Sequence, residues 1–540
     1  MTATERDHKK TGNPSPERLN TRAAGIVGLA VMCSRVLGLA RELIFAALFG
    51  GGRVMDAFTI AFRTPNLLRD LFAEGALSTA FVTTFSKTLT TEGDASAWRL
   101  ANRVATLAIV FMSGIVIVGI AIAPWLVAIL APGFDAEKAA LTVTLTRIMY
   151  PFILLVSLAA LVMGMLNAKN VFGMPAMASS FFNLGSIAGG ALIGWLLDPT
   201  FGPRAVLGLA IGTLIGGALQ LGVQLPALRR LGYVFSPDFH WRDRNVRDLL
   251  ILMGPSVIAA SSTQVNVLVN SIFASHLVDG AVFWLAIAFR LMQLPLGVFG
   301  VALGTVALPL LARLVARGEM DAFRQELSRG LRLAFLMTVP AMLGLMMLAE
   351  PIMSVLYQHG RFTAAQALES AAALRFYAIG LPAYAALKVL VNSFYALGQR
   401  KTPMYVSFAA IGINALLGWL FTFHLGLGHR GLALATGCIA TLNFLVLYFL
   451  MRRSLSTLET RAMGRMFAKL TVAALGMAAV CVAARIWLLA DWPTAAFLPK
   501  MSALLITIVA AGGVFFALAL TLRIEELAPI TAAVRRRLAR

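Results

Sequence analysis

The chain has 540 residues, of which 59% are hydrophobic and only 13% charged, with 46 Lys and Arg against 25 Asp and Glu. A soluble domain carries about a quarter of its residues as charged side chains, so a water-facing globular fold is excluded and the outer surface must meet lipid. The net charge of +21 sits mostly in short loops between apolar runs, which makes it a topology signal and not a nucleic-acid surface.

Residues 1–22 are polar and contain Pro14 and Pro16. No short apolar region with a small-residue cleavage site follows, so they read as a disordered cytoplasmic tail and not a signal peptide. From Ala23 onward apolar runs of about 20 residues recur, each long enough to cross a bilayer as a helix. Hydropathy and Gly/Pro breakers predict about fourteen spans. They lie near 23–50, 55–87, 100–130, 140–168, 175–197, 204–228, 248–276, 281–315, 330–350, 366–398, 402–424, 430–451, 466–489 and 498–522. The expected fold class is an all-α polytopic membrane protein. Cys33, Cys438 and Cys481 lie far apart in apolar segments and offer no redox or metal-ligand spacing.

The loops set an orientation. With the N-terminus inside, one side collects Lys9, Lys10, Arg99, Arg103, Arg229, Arg230, Arg242, Arg244, Arg313, Arg317, Arg452, Arg453 and the arginines of the C-terminus. The other side has only a scatter, including Arg53, Lys138, Arg204, Arg361 and Arg430. This bias puts both termini in the cytoplasm and requires an even number of spans.

A faint repeat runs through the chain. Ile60-Ala61-Phe62-Arg63 recurs as Ile287-Ala288-Phe289-Arg290, and with one residue of slip Arg147 matches Arg375 and Pro175 matches Pro403. It predicts two pseudo-repeated six-helix lobes, an N-lobe over 23–230 and a C-lobe over 246–453, in the parallel relation that supports alternating access. Two further C-terminal helices within 463–523 and a basic cytoplasmic tail over 524–540 fall outside the repeat.

Charges inside the spans carry the functional signal. The first helix holds Arg35, Arg41 and Glu42, the second Asp56, Arg63, Arg69, Asp70 and Glu74, and later spans Arg147, Arg290, Arg375 and Lys388. Each charge at the bilayer centre costs about 2.5–3.5 kcal/mol, so such residues face an interior or a wet cavity. Arg35 and Glu42 are seven apart and share a helix face. Bases outnumber acids, a surplus that a purely structural ion-pair network would not leave. Arginine suits a phosphate ligand, since its planar fork binds bidentately and keeps its charge when desolvated. Arg147 and Arg375 read equally well as snorkelling or paired side chains.

Ser34-Arg35-Val36-Leu37-Gly38-Leu39-Ala40-Arg41-Glu42 resembles the first-helix signature of the MurJ/MviN family, within the multidrug/oligosaccharidyl-lipid/polysaccharide (MOP) exporter superfamily. Asp56-Ala57-Phe58, Pro65-Asn66-Leu67-Leu68-Arg69 and Phe72-Ala73-Glu74-Gly75-Ala76 resemble its second helix, and Gly360-Arg361-Phe362-Thr363 and Lys401-Thr402-Pro403 continue the likeness. The resemblance implies two six-helix lobes plus two C-terminal helices. It implies translocation of lipid II, the undecaprenyl-diphosphate-linked peptidoglycan precursor, from the inner to the outer leaflet. Arg35, Arg41, Arg69 and Arg290 would be the essential cavity arginines, Glu42 and Asp56 the accompanying acids, and 463–523 the groove for the lipid tail. Arg63, Glu74 and Lys388 join the expected substrate-binding set on their charge and place in the spans. Some relatives carry acids where this chain has Phe289 and Gln293, so coupling through those positions is not expected here.

The expected activity is therefore transport by alternating access in the bacterial inner membrane, without covalent chemistry, metal or cofactor. The expected partners are lipid II, membrane lipids and the cell-wall synthesis machinery, and no nucleic acid. A related exporter of another lipid-linked oligosaccharide is the alternative. A polyprenyl-phosphate transferase would need acidic metal ligands or a catalytic base; the chain has no DDxxD or HExxH, and its six histidines lie mostly in tails and loops.

Overall fold

The computed structural model describes residues 21–70, 77–455, 458–489, 492 and 496–527, and among them there is helix and no strand. Eleven helices are long and apolar enough to cross a membrane. Three further passes carry charges and amides: α1 (Thr21–Phe49), α2 (Arg53–Leu68) taken together with α3 (Ser78–Glu92), and α10 (Arg244–Ser275). Together they make fourteen helical passes among the described residues, matching the expected count. Expensive polar groups cluster on these three helices because they line an interior.

The first group continues with α4 (Asp94–Leu130), α5 (Ala136–Met149), α6 (Phe152–Ala168), α7 (Gly173–Leu197), α8 (Val206–Gly222) and α9 (Leu225–Arg230). The second comprises α10, α11 (Ala281–Pro295), α12 (Val301–Ala316), α13 (Met320–Met347), α14 (Ala349–Tyr357), α15 (Ala364–Ile379), α16 (Leu381–Ala396), α17 (Lys401–Trp419) and α18 (His429–Ser454). Packing within each group dominates, while α2 meets α11 and α10 meets α3 and α4 across the seam. The final helices α19 (Thr460–Trp487) and α20 (Phe497–Thr521) pack on each other and on α13.

Several expected single spans are interrupted, each for a local reason. Tyr150 and Pro151 separate α5 from α6, and Gly380 with Pro382 separates α15 from α16, because Pro cannot donate the ladder hydrogen bond. Pro295 is followed by a π-helical turn, Leu296–Gly300, before α12 resumes. The helices α4 and α13 begin about six and ten residues before the apolar runs do, since their polar first turns extend past the bilayer. The nine-residue α14 was too short to register in hydropathy.

The tightest packing is between α7 and α8. A Cβ at Gly208 would lie 2.2 Å from the backbone nitrogen of Gly194, and one at Gly212 2.4 Å from that of Gly190. Absent side chains let the two backbones touch.

Turns alternate between two ends. At one, Lys169 bonds Asp94 at 2.7 Å, Arg103 bonds Asp238 and Asp243, and Arg332 bonds Glu459 and Glu526. This end carries most of the loop arginines. At the other, Arg361 donates to the carbonyls of Thr200 and Phe201, and Arg53 pairs with Asp135 and Asp279.

Candidate functional site

A cavity of about 680 Å³ lies between the two helix groups, lined by α2, α10, α11, α15, α16, α17 and α18 together with Arg41 of α1 and Phe182 of α7. Arg41, Arg63, Arg69, Asp70 and Arg290 reach its wall. Four guanidiniums therefore meet Asp70 and the Glu42 carboxylate, leaving a surplus of two positive charges among the described residues.

Each arginine is held differently. Arg41 lies over the Phe182 ring, 5.0 Å from its centroid, a cation–π contact that leaves its fork free of a carboxylate. Arg63 donates to Ser271 Oγ at 2.7 Å and to the Val267 carbonyl at 3.3 Å, tying α2 to α10. Arg69 pairs with Asp70 at 3.0 Å, and Gln264 also donates to Asp70. Arg290 Nη1 sits 2.6 Å from Glu42 Oε2; the carboxylate is 8% exposed and the guanidinium 46%. Arg290 thus offers most of its donors to the cavity while Glu42 anchors one of them.

Not every expected site residue lines this space. Arg35 is exposed and lies over the π-helical turn, its guanidinium 2.8 Å from where a Cβ of Gly297 would be. Arg35 therefore reaches from α1 to the second group beside the cavity. Lys388 packs its Cβ near Gly304 on α12 and does not reach the cavity wall. Glu74 lies outside the described residues.

Asp56 belongs to a different structure. It is 1% exposed and accepts three bonds: from Lys138 Nζ at 2.8 Å, from the Gly280 amide at 2.7 Å and from the Phe283 amide at 2.9 Å. A carboxylate of the first group therefore caps α11 of the second, where free amides and the helix dipole favour negative charge. Lys138, 3% exposed, also pairs with Asp279 at 2.7 Å. Gly280 permits this approach, with φ +100° and a virtual Cβ only 2.2 Å from the Gly51 carbonyl. Gly51 donates to Gln366, and Gly133 to Ser275. These contacts seal the cavity at the arginine-poor end.

The cavity wall also holds amides and phenols that charge counting passed over. Gln264, Asn266 and Asn270 on α10, with Tyr377, Tyr384 and Asn443, line it. Asn414 donates to Asn266 at 2.6 Å and to Asn270 at 3.2 Å. The run Gln264-Val265-Asn266 followed by Asn270-Ser271 in an apolar helix was the available signal, since unsatisfied amides are costly in lipid. Outside the cavity, Arg147 donates to the Ile120 carbonyl, and Arg375 pairs with Glu350, which Arg485 shares.

Residues 45–519 match the family described as lipid II flippase MurJ. The chain belongs to that family. It is 36% identical over 463 residues to a lipid II flippase MurJ of Burkholderia cenocepacia, covering 85% of this chain and 88% of the relative. A probable lipid II flippase MurJ of Buchnera aphidicola from Acyrthosiphon pisum is 33% identical over 423 residues, covering 78% and 81%. Among solved structures, a lipid II flippase MurJ in an inward closed conformation superposes with a TM-score of 0.72 at 25% identity, covering 91% of this chain and 99% of that one. An inward-facing multidrug resistance MATE family transporter of the MOP superfamily shares the fold, with a TM-score of 0.65 at 15% identity over 80% of this chain and 98% of its own.

Proposed function

We propose that the chain flips lipid II across the bacterial inner membrane by alternating access, without making or breaking a covalent bond. The observation that carries this reading is the cavity with four guanidiniums at the seam of two helix groups, sealed at one end. A diphosphate is the ligand such a cavity suits: Arg41, Arg69 and Arg290 present forks, and the low dielectric strengthens each bond they make. The amides and phenols of α10, α15 and α16 offer neutral partners for sugar hydroxyls and peptide groups. A cationic drug would meet repulsion here.

The arginine-rich turns support a cytoplasmic location for that end and for both termini. The sealed end then faces outward, and the cavity takes its substrate from the inner leaflet. Lobes over 23–230 and 246–453 would rock about the seam, with 463–523 as a groove for the lipid tail and 1–22 and 524–540 as cytoplasmic tails. Outward opening requires the Asp56–Lys138–Asp279 contacts to part. Release requires that the two states bind the lipid unequally. The membrane potential supplies one bias, about 2.3 kcal/mol per charge per 100 mV. Through lipid II the protein connects to the cell-wall enzymes that make and consume it.

Complementation of a strain depleted of its lipid II flippase tests the reading. The chain should restore growth, and R41A, R69A and R290A should fail to do so while still inserting. Growth restored equally by all three would refute it.

A further inference from the structure

The two C-terminal helices are tied to the second helix group at both ends, and the two ties are opposite in charge. At the arginine-rich end Arg332 of α13 is buried and donates to Ser328, Glu459 and Glu526. One base there meets two acids. At the arginine-poor end, among the described residues, two bases meet one acid: Arg375 of α15 and Arg485 of α19 each place Nη2 3.5 Å from the same oxygen, Oε2 of Glu350 on α14. Glu350 follows the end of α13, and Arg485 stands two residues before α19 ends at Trp487. The three side chains are 35–47% exposed, and the contact uses one nitrogen of each fork.

Other bases of that end are held more closely. Arg53 pairs with Asp135, Lys138 with Asp56 at 2.8 Å and Asp279 at 2.7 Å, and Arg430 reaches both oxygens of Glu369 at 2.9 and 3.2 Å. Arg375 and Arg485 instead share one longer contact. Basic residues are depleted on the outer side of a membrane protein, yet here two guanidiniums stand together with most of their donors open to an anion. The sequence repeat isolates the feature. Arg147, the counterpart of Arg375, donates to the Ile120 carbonyl and has no second guanidinium beside it. The second fork of the cluster comes from α19, which lies outside the repeat.

Arg375 is two residues from Tyr377, hence about 200° from it around α15, and Tyr377 lines the cavity. The cluster therefore faces away from the cavity, at the end of α19 where a groove over 463–523 would carry the lipid tail. A lipid with its tail along α19 and α20, and its head released from the cavity, brings its phosphates to this end. We propose that Arg375 and Arg485 form a second phosphate site, which receives the diphosphate of the polyprenyl lipid once it has reached the outer leaflet. Paired guanidinium forks suit two phosphoryl groups. The inference rests on the flippase reading and adds to it an exit site outside the cavity. Glu350 keeps the forks side by side and, being negative, repels the diphosphate enough to let it leave.

The direction of the Glu350 effect separates this role from a brace. A cluster that only fixes α19 loses its contacts whichever partner is neutralised, whereas a phosphate site gains when its acid is removed. A benzophenone amino acid at Trp487, 82% exposed, should crosslink to undecaprenyl diphosphate added to proteoliposomes of phosphatidylethanolamine and phosphatidylglycerol. R375Q and R485Q should each lower the yield about tenfold, as for the loss of one charge-assisted bond. E350Q should hold or raise it. R430Q, a loss of another outer arginine, and R290Q, a cavity variant, should leave it unchanged. Equal loss in E350Q and R485Q, loss with R290Q, or a crosslink to phosphatidylglycerol alone overturns the exit site. Lipid II flipping by the wild-type chain is measured in the same vesicles: if it is absent while the crosslink keeps this pattern, the flippase reading falls and the phosphate site stands.

Discussion

Glu42 of α1 and Arg290 of α11 meet at 2.6 Å across the seam between the two helix groups. The pair is asymmetric: the acid is buried and the base is half exposed to the cavity. Removing the base leaves a buried carboxylate without its bonded partner, whereas removing the acid's charge leaves a guanidinium that the cavity still hydrates. Arg290→Ala should therefore cost about 1–3 kcal/mol of stability, less than the 3–5 kcal/mol of a fully buried pair, and Glu42→Gln less than half of that. Thermal unfolding in detergent measures both. Equal losses would show that the pair's energy is not governed by the burial of Glu42.

The contacts of Asp56 with Lys138, Gly280 and Phe283 form a latch at the arginine-poor end. Lys138→Met strands a buried carboxylate and should loosen that end; Asp56→Asn keeps acceptor capacity and should loosen it less. In a background lacking Cys33, Cys438 and Cys481, a cysteine at Thr59 reports cavity access from the outer side. Its labelling by an impermeant maleimide should rise at least about tenfold with Lys138→Met. Unchanged labelling would mean that the latch does not hold the outer gate.

The glycine contact of α7 and α8 gives a prediction about folding alone. Gly208→Ala places a methyl carbon within 2.2 Å of the Gly194 backbone, where nothing flexible can yield. The helices must separate, at about 1–3 kcal/mol. Gly222→Ala, with open space around it, should be nearly neutral. Melting temperatures of the purified variants check the contrast.

The loop before α10 carries a pH dependence. Asp238 is pulled down to about 2, first by the His240 backbone amide and further by the His240 ring and the Arg103 guanidinium. A depressed carboxylate contributes stability that is fully present above its unfolded value of about 3.9 and is lost as pH falls through about 2. Hydrogen exchange of residues 231–243 should thus be unchanged by this group between pH 7 and pH 5 and quicken only below about 3.9. Arg103→Ala should leave that onset in place, shrink the loosening and complete it at a higher pH. An onset near pH 6 would assign it to histidine instead.

Much of this architecture was legible in the amino-acid sequence, because bilayer thickness makes span length a hard constraint and charge inside a span is costly. That cost marked Arg41, Arg63, Arg69 and Arg290, and the structure gathers all four around one cavity. It could not separate cavity charges from latch charges. Asp56 looked like a site acid, yet its partners are the amides of Gly280 and Phe283, more than two hundred residues away. Lys138 read as one of a few scattered outer-face bases, since burial against Asp56 depends on how α5 packs on α2. Lys388 has the charge but is exposed beside Gly304 of α12, outside the cavity wall, a matter of helix rotation that composition does not set. The amides of α10 carry no charge, so their cost in lipid is smaller and less visible in hydropathy, although Gln264, Asn266 and Asn270 lie within eight residues of Ser271.

The central claim is that the cavity guanidiniums bind and carry the diphosphate of lipid II. The most direct measurement is flipping of lipid II in proteoliposomes by the purified protein and by R41Q, R69Q and R290Q, each verified as folded by its melting temperature. Each neutral variant should lower the rate by about one to two orders of magnitude, as expected when a charge-assisted bond of about 1.5–3 kcal/mol is lost. Flipping at the wild-type rate by folded variants lacking these charges would contradict it.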